Sequence, residues 1–196
     1  MKDKSNKVID VIIKFINAVK SGNDAVIDIE NGREYKIKSA KYILGQIIRQ
    51  YELLPENYYI SEKAKTLWEK LSNKNIWNYS HRNCVWCEND LPVTISEYTG
   101  GSKTPRGERE VKTGDSFVFR DVFHDEHMIP VSVIINQLTL LPKPDNETVK
   151  KILDNVCVCR MLKDEDRVLP IKYKRPFDLT KVIYMYKESG IIIERK

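Results

Sequence analysis

The segment from Ser116 to Pro130 constrains this chain more than any other. Ser116-Phe117-Val118-Phe119-Arg120-Asp121-Val122-Phe123 alternates, and that period predicts a β-strand. The strand delivers His124-Asp125-Glu126-His127 at its end, and the run closes as His-x-x-Pro at Pro130. Two of the chain's three histidines sit here, between carboxylates. Imidazole accepts a proton near neutral pH, and a carboxylate beside it can hold a hard divalent cation. A base next to a metal ligand is what is needed to activate water against a phosphodiester. Acidic residues and histidines also cluster in solvated loops and surface strands, so the run takes its meaning from the rest of the chain.

At 196 residues the chain has room for one good core, or for a catalytic domain with a smaller appended one. With 41% hydrophobic and 31% charged residues it has an ordinary globular composition. The net charge of +5 permits a polyanionic partner without demanding one. The first seven residues are rich in charge, and Asp10 and Lys14 break the apolar run that follows, so no secretory leader is expected. No stretch approaches the roughly 20 apolar residues of a membrane span. These features predict a cytoplasmic protein without a membrane partner. Its four cysteines then read as thiols or metal ligands rather than disulfides.

The N-terminal part reads as mixed α and β. Val8, Val11, Ile12, Phe15, Ile16 and Val19 follow a helical period. Ala25–Glu30 and Arg33–Lys38 alternate around Asn31-Gly32, the strongest hairpin signal in the chain. Ser39 caps a helix expected from Ala40 to about Leu54, with Tyr42, Ile43, Ile47 and Tyr51 on one face and Pro55 as its stop. Ser61 opens another that carries Ala64, Leu67, Trp68 and Leu71. Beyond residue 74 the texture changes. Thr99 to Asp115 reads as a loop rich in Gly, Lys and Arg, and Val131 to Leu141 suits helix or strand. A helix over Thr148–Leu153 has Asp145 or Asn146 as its cap. Asn155 to Cys159 suits a short strand, Lys163 to Val168 an acidic helix start, and Ile191-Ile192-Ile193 a final strand.

The order of the pieces carries a resemblance. Cys84-x-x-Cys87 comes first, then a strand ending in Glu126-His127-x-x-Pro130. Asn155 follows before Cys157 and Cys159, and then Asp164-Glu165-Asp166. Over about residues 80 to 168 this resembles the HNH nucleases and their ββα-metal fold. The resemblance implies an α+β protein with a ββα-metal core over residues 75–196. Residues 1–74 would be an N-terminal mixed α/β extension for recognition or dimerisation. It implies that His127 is the general base and Glu126 the adjoining metal ligand. Asp166, with Glu165 second, takes the place of the final ligand on the helix, and Asn155, with Asn136 as its rival, ties the connecting loop. Both acids are acceptable oxygen ligands for Mg²⁺ or Mn²⁺.

Many members of that family also carry a zinc knuckle of two cysteine pairs. Cys84 and Cys87 have the knuckle spacing. Cys157 and Cys159 lack it, although residues i and i+2 of a strand share a face and could reach one ion. Two buried cysteines in a core strand are the competing reading, and His81 is a substitute zinc ligand. Lys103, Arg106, Arg109 and Lys112 are candidate contacts to DNA phosphates or guanine edges, against the commoner fate of a solvated loop. The function expected is that of a Mg²⁺- or Mn²⁺-dependent endonuclease acting on double-stranded DNA, of restriction type. Such an enzyme needs a homodimer to cut both strands of a palindrome. The alternatives are a zinc-stabilised DNA-binding protein without catalysis, with His124 and His127 as structural or zinc ligands, and a non-specific or RNA-directed nuclease with the same motif.

Overall fold

The computed structural model describes residues 2–22, 27–30, 33–36, 39–51, 55–98, 105–170 and 174–196. In chain order the elements are helix α1 (Lys2–Lys20), strands β1 (Ile27–Glu30) and β2 (Arg33–Lys36), helix α2 (Ala40–Arg49), strand β3 (Tyr58–Ser61) and helix α3 (Glu62–Leu71). Strands β4 (Cys84–Trp86), β5 (Val93–Tyr98), β6 (Pro105–Val111) and β7 (Ser116–Val118) follow. Then come the one-turn helix α4 (Phe119–Val122), β8 (Phe123–His127), α5 (Val131–Leu140), α6 (Asn146–Leu153), β9 (Val158–Leu162), α7 (Lys163–Val168), α8 (Leu179–Glu188) and β10 (Ile193–Arg195). The protein is thus α+β, as expected. Among the described residues no helix is long and apolar enough to cross a membrane.

Two compact units interleave along the sequence. One comprises residues 1–57, 127–157 and 171–182, the other residues 58–126, 158–170 and 183–196. The boundary expected at residue 74 falls inside the second unit.

In the first unit α1 packs on α2, α5 and α6. The side of α1 that is buried is Ile9, Ile12 and Ile16, while Val8 and Val11 are exposed, so the buried stripe lies about one position round from the one the period suggested. Likewise α2 buries Leu44, Gly45 and Ile48 and leaves Tyr42 in solvent. It ends at Arg49, short of Leu54. A Cβ on Gly45 would touch Ile135 and Val131, which shows how closely α2 approaches α5. β1 and β2 pair antiparallel from Ile27↔Lys36 to Glu30↔Arg33, as the hairpin signal predicts. Their turn, Asn31-Gly32, lies outside the described residues. The Val131 segment is helix, started at Pro130 and buried along Val131, Ile134, Ile135 and Leu138. Asp145 caps α6 with a reciprocal Thr148 bond.

The second unit holds a four-stranded sheet in the order β10-β3-β9-β8. β3 runs parallel to β9 (Tyr59↔Cys159, Ile60↔Arg160) and antiparallel to β10. α3 lays Ala64, Trp68 and Leu71 into the core, as read from the sequence. Trp68 meets Tyr79, Phe119 and Phe123 edge-on, and the last two rings stack at 4.6 Å.

Two expectations need correcting here. Ser116 to Phe123 is not one strand: β7 stops at Val118, one helical turn follows, and β8 starts at Phe123. A helical turn puts Phe119, Val122 and Phe123 on one side, and all three are buried in the same apolar cluster. A strand would have turned Val122 away from both rings. Nor is Thr99 to Asp115 all loop, because β6 pairs with β5 from Val93↔Val111 to Glu97↔Gly107. Arg109 bonds Glu97 diagonally across this pair at 2.7 Å. The irregularity between Glu97 and Tyr98 falls beside Gly107, whose φ of 128° favours glycine.

Candidate metal centre

β8 alternates, so His124 and Glu126 project from one side and Phe123, Asp125 and His127 from the other. On the first side His124 Nε2 lies 3.0 Å from Glu126 Oε2 and 4.0 Å from Asp166 Oδ2. One donor atom from each of the three lies within 4.8 Å of the other two, and no other group of three or more His, Cys, Asp or Glu does so among the described residues. Glu126 is buried, while His124 is about one-third exposed, so the cluster sits at the edge of solvent.

α7 brings Asp166 to this place because β9 runs directly into it. The next carboxylate along, Glu165, faces another way. Its Oε2 accepts from the Leu162 amide at 2.9 Å, which caps the helix, and from Ser61 Oγ at 2.5 Å. Ser61 Oγ in turn accepts from the Ala64 amide and caps α3. Successive helical residues point about 100° apart, so anchoring Glu165 inward leaves Asp166 turned toward β8. The expected oxygen ligands thus divide. Glu126 and Asp166 share the cluster, and Glu165 is committed to holding two helix starts.

On the opposite side of β8, Asp125 receives both Nε and Nη2 of Arg160 at 2.7 and 2.8 Å. The guanidinium lies between the rings of Trp77 and Phe119, at 4.7 and 4.8 Å from their centroids. Arg160 also donates to the Ile76 carbonyl. His127 is half-buried and does not belong to the three-residue cluster. Its carbonyl accepts from Arg175 at 3.4 Å.

The three donor side chains suit a divalent cation. Two carboxylates and an imidazole leave positions open for water or substrate, and the imidazole favours Mn²⁺ over Mg²⁺ within this set. The structure brings Glu126 and Asp166, both candidate ligands in the sequence, together with His124, which the sequence reading had not joined to them. The signal was present, since His124-x-Glu126 on a strand shares a face.

The cysteines do not fit a four-thiolate zinc site. None belongs to the cluster of donor atoms. Cys84 is exposed, whereas Cys87 packs among the apolar residues of the second unit, its Sγ 3.6 Å from the Asn89 carbonyl. Cys157 and Cys159 are buried. Burial, with Glu165, Asp125 and Glu126 adding to it, pushes the Cys159 thiol far above the usual range. The competing reading of buried core cysteines describes this last pair. His81 is exposed, and its carbonyl accepts from Arg120.

The remaining candidates lie elsewhere. Asn155 Nδ2 donates to Lys151 O at the end of α6. The side chain that ties the segment after α6 is Asn57, which bonds the carbonyls of Asp154 and Val156. Asn136 is exposed on α5. Lys103 and the Arg106 side chain lie outside the described residues. Arg109 is engaged with Glu97 and the Ser116 carbonyl, and Lys112 pairs with Glu110 at 3.1 Å. The chain matches no protein-family model, no curated protein and no solved structure.

Proposed function

We propose that this protein is a divalent-metal-dependent DNA endonuclease of HNH type, with a restriction role, that hydrolyses phosphodiester bonds. The observation that carries the reading is the convergence of His124, Glu126 and Asp166 at 4.8 Å or less. Its setting supports it: β8 and β9 are sheet neighbours, and α7 follows β9 directly, so β8 supplies His124 and Glu126 and α7 supplies Asp166. The basic balance of +5 suits a polyanionic substrate.

In this reading Glu126, Asp166 and His124 hold Mg²⁺ or Mn²⁺. A bound cation supplies Lewis-acid polarisation of the phosphate and charge stabilisation of the leaving oxygen. The HNH resemblance gives His127 the general-base role; because His127 leaves β8 on the side opposite the three donors, this reading requires the chain to bend before Pro130 for its ring to reach the attacking water. Asp125, held by Arg160, fixes the strand that carries both histidines. Cutting both strands of a palindrome requires two copies of the chain related by a twofold axis.

The test is incubation of purified protein with plasmid and phage DNA in Mg²⁺, Mn²⁺ or EDTA. Discrete fragments that need the metal are expected. A metal-dependent smear would keep the chemistry and remove the sequence specificity. Intact DNA in every lane, with retarded mobility in a binding gel, would replace the enzyme by a DNA-binding protein.

A further inference from the structure

Lys163 and Arg167 stand four residues apart on α7, so their side chains share a face, and Asp166 lies beside them. Both cations reach the same ring. Lys163 Nζ is 5.3 Å and Arg167 Cζ 4.7 Å from the centroid of Tyr98, at the end of β5. Tyr98 is fully buried, so its ring is a fixed support for the two cations rather than a stacking platform for a base. Among the described residues neither cation takes part in an ion pair. Burial pushes the Lys163 ammonium below the usual lysine range; Asp121 opposes this, and the positive charge of Arg120 adds to it. Two like charges are therefore held against one ring, neither of them in an ion pair with a carboxylate. That arrangement costs free energy which an anion would recover.

We propose that Lys163 and Arg167 bind a backbone phosphate of duplex DNA beside the His124, Glu126 and Asp166 cluster. The inference rests on the nuclease reading for its substrate class. One face of α7 then serves two purposes: Asp166 for the cation, and Lys163 and Arg167 for the charge of the substrate. It also moves the phosphate contact away from Arg109 and Lys112, which the β5–β6 pair already engages.

The experiment is fluorescence anisotropy with a short labelled DNA duplex in EDTA, across a salt series. Wild type, Lys163→Gln/Arg167→Gln and the charge-keeping Arg167→Lys are compared, with Lys151→Gln as a surface control. Each neutralised phosphate contributes about 0.9 to the slope of log K against log salt, so the double variant should lose about 1 in slope and at least ~10-fold in affinity. Arg167→Lys and Lys151→Gln should keep the wild-type slope. If the double variant does not fold, Arg167→Gln alone, exposed on α7, carries the test with an expected loss of about 0.5 in slope, since Lys163 still contacts the phosphate. Unchanged affinity and slope in the folded variants would overturn the proposal, as would a wild type that binds no duplex or a loss confined to RNA. Mn²⁺-induced thermal stabilisation, measured without DNA, separates the two readings. Its absence in wild type with the DNA effect intact sinks the metal centre and leaves the phosphate site standing.

Discussion

The Arg160 guanidinium grips the Asp125 carboxylate with two hydrogen bonds, at 2.7 and 2.8 Å, from the side of β8 opposite His124 and Glu126. The strand's acids are sorted by this contact: Asp125 is neutralised by an arginine, and Glu126 is left for the cluster. Arg160 is buried between two rings, whereas Asp125 is 38% exposed. Removing the arginine takes away the ring contacts and the Ile76 bond and leaves a half-solvated carboxylate. Arg160→Leu should therefore lower the unfolding free energy by about 2–4 kcal/mol in urea titrations, below the upper range for a fully buried broken pair. Asp125→Asn keeps one acceptor but sets its amide NH2 against the other guanidinium donor, so it should cost about 1.5–3 kcal/mol. Its Mn²⁺ affinity should match wild type; a large drop would place Asp125 among the ligands.

The two histidines of the run should separate kinetically. His124 sits 3.0 Å from Glu126, so His124→Ala removes a donor from the cluster. It should weaken Mn²⁺ binding at least ~10-fold, in line with loss of a ligand, and much of its cleavage rate should return at high metal. His127→Ala leaves all three donors in place. It should keep the metal affinity and lose about 10²–10⁴-fold in rate at saturating metal, the usual worth of a general base. Isothermal titration with Mn²⁺ beside single-turnover cleavage measures both. The reverse pattern would exchange the roles of the two residues.

How much of this was legible depended on distance along the chain. His124-x-Glu126 could be read from a two-residue period, and Ser61 with Ala64, Trp68 and Leu71 from a helical one, because each pattern is local. Ser61 and Glu165 are 104 residues apart, and nothing in either neighbourhood announces their bond. That bond turns Glu165 inward and leaves Asp166 facing β8. The turn Phe119–Val122 was hidden for a different reason. Four residues are too few to display a helical period, and Phe and Val favour strands when read singly. Burial of Phe119, Val122 and Phe123 against Trp68 outweighs that preference. β6 escaped notice because Arg-Gly-Glu-Arg-Glu has no apolar alternation; its pairing is held by the β5 ladder and by Arg109.

The thiols give a test that needs no substrate. Cys84 is exposed, whereas Cys87, Cys157 and Cys159 are buried, and burial holds the Cys159 thiol protonated. Native protein should react with Ellman's reagent at Cys84 quickly and at the other three only after unfolding in guanidinium. Zinc analysis of protein purified without added metal should find no stoichiometric ion. Protection of all four thiols, reversed by a chelator, would restore the zinc knuckle.

Adjacent carboxylates on α7 should fail in opposite ways. Glu165 accepts from Ser61 and from the Leu162 amide, so Glu165→Ala leaves one buried and one part-buried donor short of a partner. It should cost about 2–4 kcal/mol of stability without changing the Mn²⁺ affinity of the folded protein. Ser61→Ala removes the α3 cap as well as one of those bonds and should cost about 2–3 kcal/mol. Asp166→Asn removes a negative charge close to Glu126 and His124, so the metal-free protein should be at least as stable as wild type. A ligand that binds only the folded state stabilises it by about 2.7 kcal/mol at 100 times its Kd. Wild type and Glu165→Ala should show a rise in melting temperature of that order in Mn²⁺, and Asp166→Asn should show little. An equal rise in Asp166→Asn would mean that the cation is held elsewhere.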